Sequence, residues 1–246
     1  MEGCPRGRTR NNSKDTKMII HGLQKLTLLD FPGHTACTVF LGGCDLRCPF
    51  CHNAELMDAS APGIMDDKEL LAFLEKRRGL LDGVAFTGGE PLLRKELPEL
   101  MEKIRSLGYL IKLDTNGCHP DRLGNILEKG LADYVAMDIK NSPERYAATS
   151  GIEKVDLERI GESIDLLMKK APDYEFRTTV VAQLHDADSF RGIGPWIKGA
   201  KRYFLQAFTD RDSVPFAGFS APSKEEMESY LEIVRPFVSS AQLRGV

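Results

Sequence analysis

Apolar and polar positions alternate along the chain with two different periods, and this pattern predicts its secondary structure. Six short runs rich in β-branched and aromatic residues are typical of strands. They cover residues 36–41, 84–87, 110–114, 134–139, 176–181 and 203–208. Between them lie charge-rich segments whose apolar residues recur three and four positions apart, which predicts helices. The clearest of these segments are residues 67–76, 97–107, 122–129 and 157–170.

The order of these elements predicts an α/β fold. Repeated strand-then-helix units indicate a parallel sheet joined by right-handed crossovers. Six units are too few for a full eight-stranded barrel, so we expect a partial, open (βα)6 TIM barrel with parallel strands. This domain should span residues 18–246. Residues 1–17 are polar and basic, and they predict a disordered N-terminal leader.

Composition and charge exclude several classes of function. The 246 residues carry a formal net charge of −3, so no basic surface favours nucleic acid. No apolar stretch is long enough to span a bilayer, and the leader has no hydrophobic region for export. With 42% hydrophobic residues, a chain of this length can build its core without disulfides. We therefore expect a protein of the reducing cytoplasm that binds neither nucleic acid nor membranes.

Three cysteines lie close together after the first predicted strand. Cys44, Cys48 and Cys51 form a C-x3-C-x2-C pattern, and Phe50 and His52 flank the third cysteine. Thiolates on one loop can hold a single metal centre, and three of them leave a cubane iron–sulfur cluster one ligand short. The iron without a protein ligand is open to another molecule. The spacing therefore favours an iron–sulfur cluster with one free coordination position.

Zinc is the main alternative occupant of this loop. A closed structural zinc site needs four ligands, and His52 adjoins Cys51 too closely to complete the same tetrahedron. The other cysteines, Cys4, Cys37 and Cys118, provide no second C-x2-C pair. Cys37 lies in an apolar run and is expected to be a small buried hydrophobe. Cys118 follows a turn and has no predicted role.

Further candidate residues follow the predicted strands at the edge where parallel sheets bind ligands. Consecutive glycines let a backbone approach a ligand closely. The simpler interpretations are a turn for the glycines, helix caps for the aspartates and a solvated surface position for the lysine. Because these residues fall at the same end of consecutive strands, we predict one ligand site. They are Gly88, Gly89 and Glu90 after the second strand, Asp114, Thr115 and Asn116 after the third, Asp138 and Lys140 at the end of the fourth, and Arg177 near the start of the fifth.

The cysteine loop resembles the signature of the radical S-adenosylmethionine (SAM) superfamily. Its ending Cys51-His52-Asn53, together with Gly-Gly-Glu-Pro, Asp-Thr-Asn-Gly and Asp-Ile-Lys, is similar to glycyl-radical-enzyme activating enzymes. Residues 22–33 are most similar to the type that activates the anaerobic (class III) ribonucleoside-triphosphate reductase. The resemblance covers residues 18 to about 240 and implies a barrel of the radical SAM type.

The resemblance implies a reaction and a set of partners. One 4Fe–4S cluster on Cys44, Cys48 and Cys51 would bind SAM through its open iron. Reductive cleavage would give methionine and a 5′-deoxyadenosyl radical, which removes a hydrogen atom from a glycine of a glycyl radical enzyme. That partner would be the anaerobic ribonucleotide reductase, and a flavodoxin or ferredoxin would donate the electron.

The resemblance also implies roles for the strand-end residues. Phe50 would lie near the adenine, and Gly88, Gly89 and Glu90 would hold the methionyl amino end. The carboxylate and ribose of SAM would be surrounded by Asp114, Asp138, Lys140 and Arg177, with His52, Thr115 and Asn116 among the other cofactor contacts. The two aspartates would also suit a monovalent cation that bridges to the SAM carboxylate.

Departures from the resemblance leave other functions open. Residues 54–86 contain no cysteine, so we expect one cluster only. Phe208 stands where related pyruvate formate-lyase activators carry a histidine, which weakens that assignment and leaves the role of Gln206 open. Activation of a pyruvate formate-lyase-type enzyme stays an alternative, as does radical SAM chemistry on a small molecule or nucleotide, as in queuosine-pathway synthases. An iron–sulfur electron carrier is the alternative without catalysis, although such a carrier normally has four protein ligands.

Overall fold

The computed structural model describes residues 17–246, in which strands and helices alternate. No helix in this range is long and apolar enough to cross a membrane. The predicted leader lies outside the described residues, except for Lys17. The strands are β1 (Ile19–Ile20), β2 (Gly22–Thr27), β3 (Ala36–Leu41), β4 (Met65–Asp66), β5 (Gly83–Gly88), β6 (Leu110–Thr115), β7 (Tyr134–Asp138), β8 (Tyr174–Val180), β9 (Tyr203–Ala207) and β10 (Ala241–Arg244). The α-helices are α1 (Asp67–Glu75), α2 (Leu97–Ser106), α3 (Pro120–Glu128), α4 (Tyr146–Ser150), α5 (Leu157–Lys170), α6 (Ala187–Trp196) and α7 (Lys224–Val234).

Eight of these strands form one sheet in the order β10-β9-β8-β7-β6-β5-β3-β2. Neighbouring strands are parallel except β2, which runs antiparallel to β3. The two edge strands, β2 and β10, do not pair with each other, so the barrel is open along one side. The six predicted strands are the parallel strands β3 and β5 to β9. The expected partial α/β barrel is therefore confirmed, with one additional strand at each edge.

The two faces of the sheet differ because side chains alternate along each strand. Leu113, Met137 and Phe176 point to the outer face and are fully buried in the main core, which also contains residues of the surrounding helices. Charged residues occupy several of the alternate positions, and the register places Asp138 of β7 beside Arg177 of β8. The barrel interior therefore contains charged side chains although its strands are largely apolar.

Side chains fill the end of the interior where the parallel strands begin. Phe31, in the loop after β2, is buried and packs against Tyr134 at the start of β7. Glu175, near the start of β8, accepts hydrogen bonds from the Tyr134 hydroxyl (2.6 Å) and from both terminal nitrogens of Arg244 (2.7 and 2.8 Å). These contacts close one end of the barrel, and the candidate site lies at the other.

Candidate functional site

The loop after β3 carries the three cysteines, and backbone hydrogen bonds determine its course. Gly43 N donates to the carbonyl oxygen of Leu56 at 2.8 Å. Arg47 N donates to the carbonyl oxygen of Ser150, at the end of α4, also at 2.8 Å. Neighbouring segments therefore hold the backbone of the cysteine loop in place on both sides.

The three cysteines share one apolar pocket. Cys48 is buried with Leu46 and Phe50, and the half-buried Cys44 and Cys51 pack against the same group. Val181 and Phe208 complete the buried wall. Within residues 17–246, no group of three or more His, Cys, Asp or Glu side chains is arranged to hold a single metal ion.

The charge state of the thiols depends on burial and on Lys140. Burial raises the pKa of Cys44 to about 11 and also raises the pKa values of Cys48 and Cys51. The nearby Lys140 ammonium acts in the opposite direction and offsets part of the increase in each of the three pKa values. A cation beside the thiols favours the thiolates, which are the metal-binding forms. Three such donors in a water-poor pocket therefore fit a cluster with three protein ligands.

Lys140 is also one end of a row of ion pairs across three strands. Its Nζ lies 2.8 Å from Asp138 Oδ2, and Asp138 Oδ1 accepts a hydrogen bond from Arg177 Nε at 2.6 Å. Arg177 also donates to Asp114 Oδ2 at 3.2 Å, and Lys112 pairs with Asp114 Oδ1. We call these five residues the charged row. Its three cations and two carboxylates carry one net positive charge, which suits an anionic group.

The contacts within the charged row keep its two aspartates ionised. Burial raises the pKa of Asp138, but Arg177 and Lys140 outweigh it and hold that pKa well below its usual range. Arg177 and Lys112 likewise lower the pKa of Asp114 against the effect of burial. Asp114 lies within β6 and Asp138 ends β7. The simpler interpretation of these two aspartates as helix caps is therefore wrong.

The Glu90 carboxylate is held inside the protein. Oε1 accepts hydrogen bonds from Leu92 N (3.0 Å) and Thr115 Oγ1 (2.9 Å), and Oε2 accepts one from Asn116 N (2.7 Å). Burial raises the pKa of Glu90 to about 7, against the effect of these three donors. The side chain is 0% exposed. Contrary to the expectation from the sequence, this carboxylate offers no surface to the amino group of SAM.

The two glycines allow the turn after β5 to pack against the cysteine loop. Gly89 N donates to the carbonyl oxygen of Leu41 (2.8 Å), and Glu90 N donates to that of Gly43 (2.7 Å). A Cβ on Gly89 would lie 2.1 Å from the Gly43 oxygen, and Gly88 has a φ of +121°. The close approach that these glycines permit in the structure is thus to the protein's own backbone.

An aromatic group lines the pocket beside Cys51. Phe50 packs edge-on against Phe208 and Phe219, with ring centroids 6.4 and 6.5 Å apart. His52 stacks on Phe208 at 5.3 Å, and its Nε2 lies 2.6 Å from the carbonyl oxygen of Thr209. Sequence reasoning noted Phe208 only as a replacement for histidine and missed Phe219. Phe219 comes from the long loop after β9, where no periodic pattern signals its position.

The remaining cysteines and Gln206 occupy different surroundings. Cys37 is fully buried in the main core, as predicted. Cys118 packs against the edge of the cysteine pocket, and burial raises its pKa. Gln206 is half-buried on β9, where the register places it between Thr179 and Arg244. The structure therefore brings Cys118, but not Cys37, close to the candidate site.

A family model identifies the protein class. The model of the radical SAM superfamily matches residues 38–188, a range that contains the cysteine loop and all of the strand-end motifs. The chain belongs to the radical SAM superfamily. It is therefore an enzyme, and its cofactors are a 4Fe–4S cluster and SAM. These expectations from the sequence are confirmed, and the zinc and electron-carrier alternatives are set aside.

Curated relatives of this radical SAM enzyme have more than one function. A protein of Methanocaldococcus jannaschii named "Putative glycyl-radical enzyme activating enzyme" is 27% identical over 241 residues, which cover 94% of this chain and 97% of that protein. The pyruvate formate-lyase-activating enzyme of Clostridium pasteurianum is 33% identical over 127 residues, or 50% of this chain and 52% of that enzyme. A 7-carboxy-7-deazaguanine synthase of Thermococcus kodakarensis is 29% identical over 188 residues, or 68% of this chain and 72% of the synthase.

Solved structures agree on the fold. SuiB of Streptococcus suis, bound to the precursor peptide SuiA, aligns with a TM-score of 0.65 at 14% identity, over 85% of this chain and 48% of SuiB. A domain of a pyruvate-formate lyase-activating enzyme from Bacteroides vulgatus aligns with a TM-score of 0.51 at 17% identity, over 66% of this chain and 99% of that domain. At these identities the likeness shows the radical SAM fold alone.

Proposed function

We propose that this radical SAM enzyme activates a glycyl radical enzyme. A 4Fe–4S cluster held by the three cysteines would pass one electron from a reductant to SAM, which would give methionine and a 5′-deoxyadenosyl radical, and this radical would take a hydrogen atom from a backbone glycine of the partner. The convergence of the cysteine pocket and the charged row on Lys140 carries the radical SAM chemistry of this proposal, and the similarity to the Methanocaldococcus jannaschii protein over 94% of this chain supports a glycyl radical enzyme as its target. Both lie within a barrel that is open along one side.

We assign the cluster to Cys44, Cys48 and Cys51. The apolar pocket shared by their side chains limits the access of water, which would otherwise hydrolyse the cluster. Lys140 favours the thiolate form of each ligand. Three ligands leave one iron available to the amino and carboxylate groups of SAM.

The charged row is proposed to bind the carboxylate and ribose of SAM. Lys140 and Arg177 supply the positive charge for the carboxylate, and Asp138 holds both cations at 2.8 and 2.6 Å. Asp114 and Asp138 provide acceptors for ribose hydroxyl groups. The guanidinium of Arg177 already bridges these two carboxylates. A monovalent cation at this position stays a prediction.

The other SAM contacts are assigned to the loops around the pocket. The methionyl amino group would meet the backbone of Gly88 and Gly89, and the buried Glu90 carboxylate links this turn to the loop after β6. Phe50 and His52, with Phe208, form the wall for the adenine. Thr115 and Asn116 take part through Glu90, since both donate hydrogen bonds to it.

The proposed partner is the anaerobic ribonucleotide reductase. The similarity of residues 22–33 to activators of that enzyme supports this choice, as does the name of the Methanocaldococcus jannaschii relative at the level of the enzyme class. Phe208, in place of histidine, argues against a pyruvate formate-lyase-type partner. A flavodoxin or ferredoxin is the proposed electron donor.

A small-molecule substrate is the second candidate. It is supported by the 29% identity to the Thermococcus kodakarensis synthase over 68% of this chain. Both candidates require the same cluster and SAM site, so the site residues do not separate them. The source of the abstracted hydrogen atom does.

The test follows that hydrogen atom. Reconstituted enzyme, SAM and a one-electron reductant are mixed under anoxia with a candidate glycyl radical enzyme that was produced with α-deuterated glycine. We expect 5′-deoxyadenosine to acquire deuterium from the labelled partner and to acquire none from an unlabelled one. SAM cleavage without deuterium transfer from any glycyl radical enzyme would favour the small-molecule candidate.

A further inference from the structure

Asn116 lies where the loop after β6 meets the cysteine loop, and its backbone is held firmly. Its N–H donates to Glu90 Oε2 at 2.7 Å, and the hydroxyl of the preceding Thr115 donates to Oε1 at 2.9 Å. Asn116 is itself buried. Because Glu90 is enclosed on all sides, these contacts hold Asn116 in one position relative to the cysteine loop.

The orientation of the Asn116 carboxamide follows from its neighbours. Cys118 N donates a hydrogen bond to Asn116 Oδ1 at 2.9 Å. A backbone N–H only donates, so the side-chain oxygen must face Cys118 and the amide nitrogen must face away from it. In that orientation Nδ2 lies 4.0 Å from Cys44 Sγ.

The two hydrogens of the amide nitrogen have two acceptors in the cysteine loop. One acceptor is Cys44 Sγ. The other is the neighbouring Asp45 carboxylate, with which the Asn116 side chain makes a hydrogen bond. His119 Nε2 lies 2.9 Å from Asp45 Oδ2 and holds the carboxylate in place. Asn116, Cys44, Asp45 and His119 therefore belong to one hydrogen-bonded group.

We propose that Asn116 is a positioning residue that donates an N–H···S hydrogen bond to Cys44 and thereby raises the reduction potential of the cluster. A donor to a ligating sulfur stabilises the reduced cluster, which carries the additional negative charge. The inference rests on the assignment of Cys44 as a cluster ligand. It goes beyond that assignment because the sequence predicted only a cofactor contact for Asn116.

The first test compares midpoint potentials. Wild type, Asn116→Ala and Cys118→Ala are reconstituted anaerobically without SAM and titrated, and the reduced cluster is followed by electron paramagnetic resonance. Asn116→Ala removes the donor. We expect the ratio of reduced to oxidised cluster at a fixed potential to fall roughly tenfold, which corresponds to about 59 mV for a one-electron couple. Cys118→Ala keeps the backbone N–H that orients Asn116, so its potential should equal that of wild type.

The second test uses the wild-type protein and does not depend on the folding of a variant. Asparagine labelled with ¹⁵N only in the side-chain amide is incorporated, and the reduced cluster is studied by electron–nuclear double resonance. We expect a ¹⁵N coupling that Asn116→Ala abolishes. A missing coupling in wild type, or an unchanged potential in Asn116→Ala, would overturn this inference but leave the ligand assignment intact. A wild-type protein without any reducible cluster would overturn the ligand assignment and this inference together.

Discussion

Arg177 Nε donates a hydrogen bond to Asp138 Oδ1 on the neighbouring strand, at 2.6 Å. The register of β7 and β8 places the two residues side by side. Lys140 donates to the other oxygen of the same carboxylate at 2.8 Å. Asp138 therefore forms ion pairs with two cations of the charged row, and one of them, Lys140, lies beside the cysteine pocket.

Replacing Asp138 should weaken both the fold and SAM binding. Asp138→Ala leaves Lys140 and Arg177 without their shared partner, and loss of one member of a buried pair costs about 3–5 kcal/mol. Because the Asp138 side chain is 27% exposed, we expect the lower end of this range, a decrease of about 3 kcal/mol in the free energy of unfolding. SAM affinity should fall at least about tenfold, or about 1.4 kcal/mol, while the absorption spectrum of the cluster persists. Urea unfolding of the cluster-free protein and anaerobic calorimetry with SAM measure the two effects.

Asp165→Ala is the matched control for this variant. Asp165 forms an exposed pair with Lys169 one helical turn away, at 2.7 Å, and such pairs contribute about 0.3–0.5 kcal/mol. Its unfolding free energy and SAM affinity should stay close to those of wild type. Normal SAM binding by Asp138→Ala would contradict the assignment of the charged row.

A methyl group on Gly89 should displace the cysteine loop. The added Cβ would lie 2.1 Å from the Gly43 oxygen and 2.9 Å from the Leu56 oxygen, and both are backbone atoms that cannot rotate away. Overpacking of this kind costs about 1–3 kcal/mol. We expect Gly89→Ala to lose stability by that amount and to retain fewer irons after reconstitution, as measured by unfolding and iron analysis.

Gly124→Ala is the same chemical change with the opposite expected sign. Gly124 lies in α3, where the nearest atom to an added Cβ is Leu166 Cδ1 at 3.8 Å. Alanine is favoured over glycine in a helix interior by about 1 kcal/mol, so this variant should be more stable and keep its full iron content. If Gly89→Ala retained the same iron content as Gly124→Ala, the proposed support of the cysteine loop would be wrong.

The fold was predictable where residues carry a strong period. β3 and α5 have the predicted bounds, 36–41 and 157–170. β8 begins two residues before the predicted strand, because Glu175 is charged and masks the pattern, although it is buried in an ion pair with Arg244. β10 was not predicted, since Leu243 is its only large apolar residue. It forms because β9 offers a parallel neighbour, which no local pattern reveals.

The site was predictable in its location but less so in its contacts. The strand-end position of Asp138 followed from the order of elements, and its ion pair with Arg177, in the middle of β8, follows from strand register. Lys112 was missed because a lysine inside a strand usually faces solvent, whereas here it is 2% exposed and paired with Asp114. The burial of Glu90 was missed because it depends on two donors, Thr115 and Asn116, that are distant in sequence.

The stability of the cluster-free protein should depend on pH through Glu90. Burial raises its pKa from 4.5 to about 7. Between these two values the folded state binds more protons than the unfolded state, so the contribution of this group to stability falls as pH rises. The difference amounts to at most about 3 kcal/mol. We expect the unfolding free energy of wild type to decrease relative to that of Glu90→Gln as the pH rises from 5 to 8.

Glu102→Gln provides the control for this comparison. Glu102 is exposed on α2 and pairs with Lys129 at 3.0 Å. The difference between wild type and this variant should change little over the same pH range. A pH-independent difference for Glu90→Gln would show that the Glu90 carboxylate does not titrate in the folded state as inferred.

Cluster content should distinguish the cysteines. Anaerobic reconstitution should give about four irons and four sulfides per chain, and replacement of Cys44, Cys48 or Cys51 by alanine should abolish the reducible cluster. Cys37→Ala should retain it, because Cys37 is buried in the main core away from the pocket. Cys118→Ala should also retain it. Stoichiometric zinc without bound sulfide in the wild type would contradict the ligand assignment.

The most direct test of the proposed function is the formation of a radical on the partner. The enzyme, SAM and a one-electron reductant are incubated under strict anoxia with the anaerobic ribonucleotide reductase of the same organism. Electron paramagnetic resonance should then show a glycine-centred doublet on the reductase, which is absent when Cys48→Ala replaces wild type and present with the Asp165→Ala control. A doublet only on a pyruvate formate-lyase-type enzyme would contradict the choice of partner. No doublet on any glycyl radical enzyme, although SAM is cleaved, would contradict the proposed function itself.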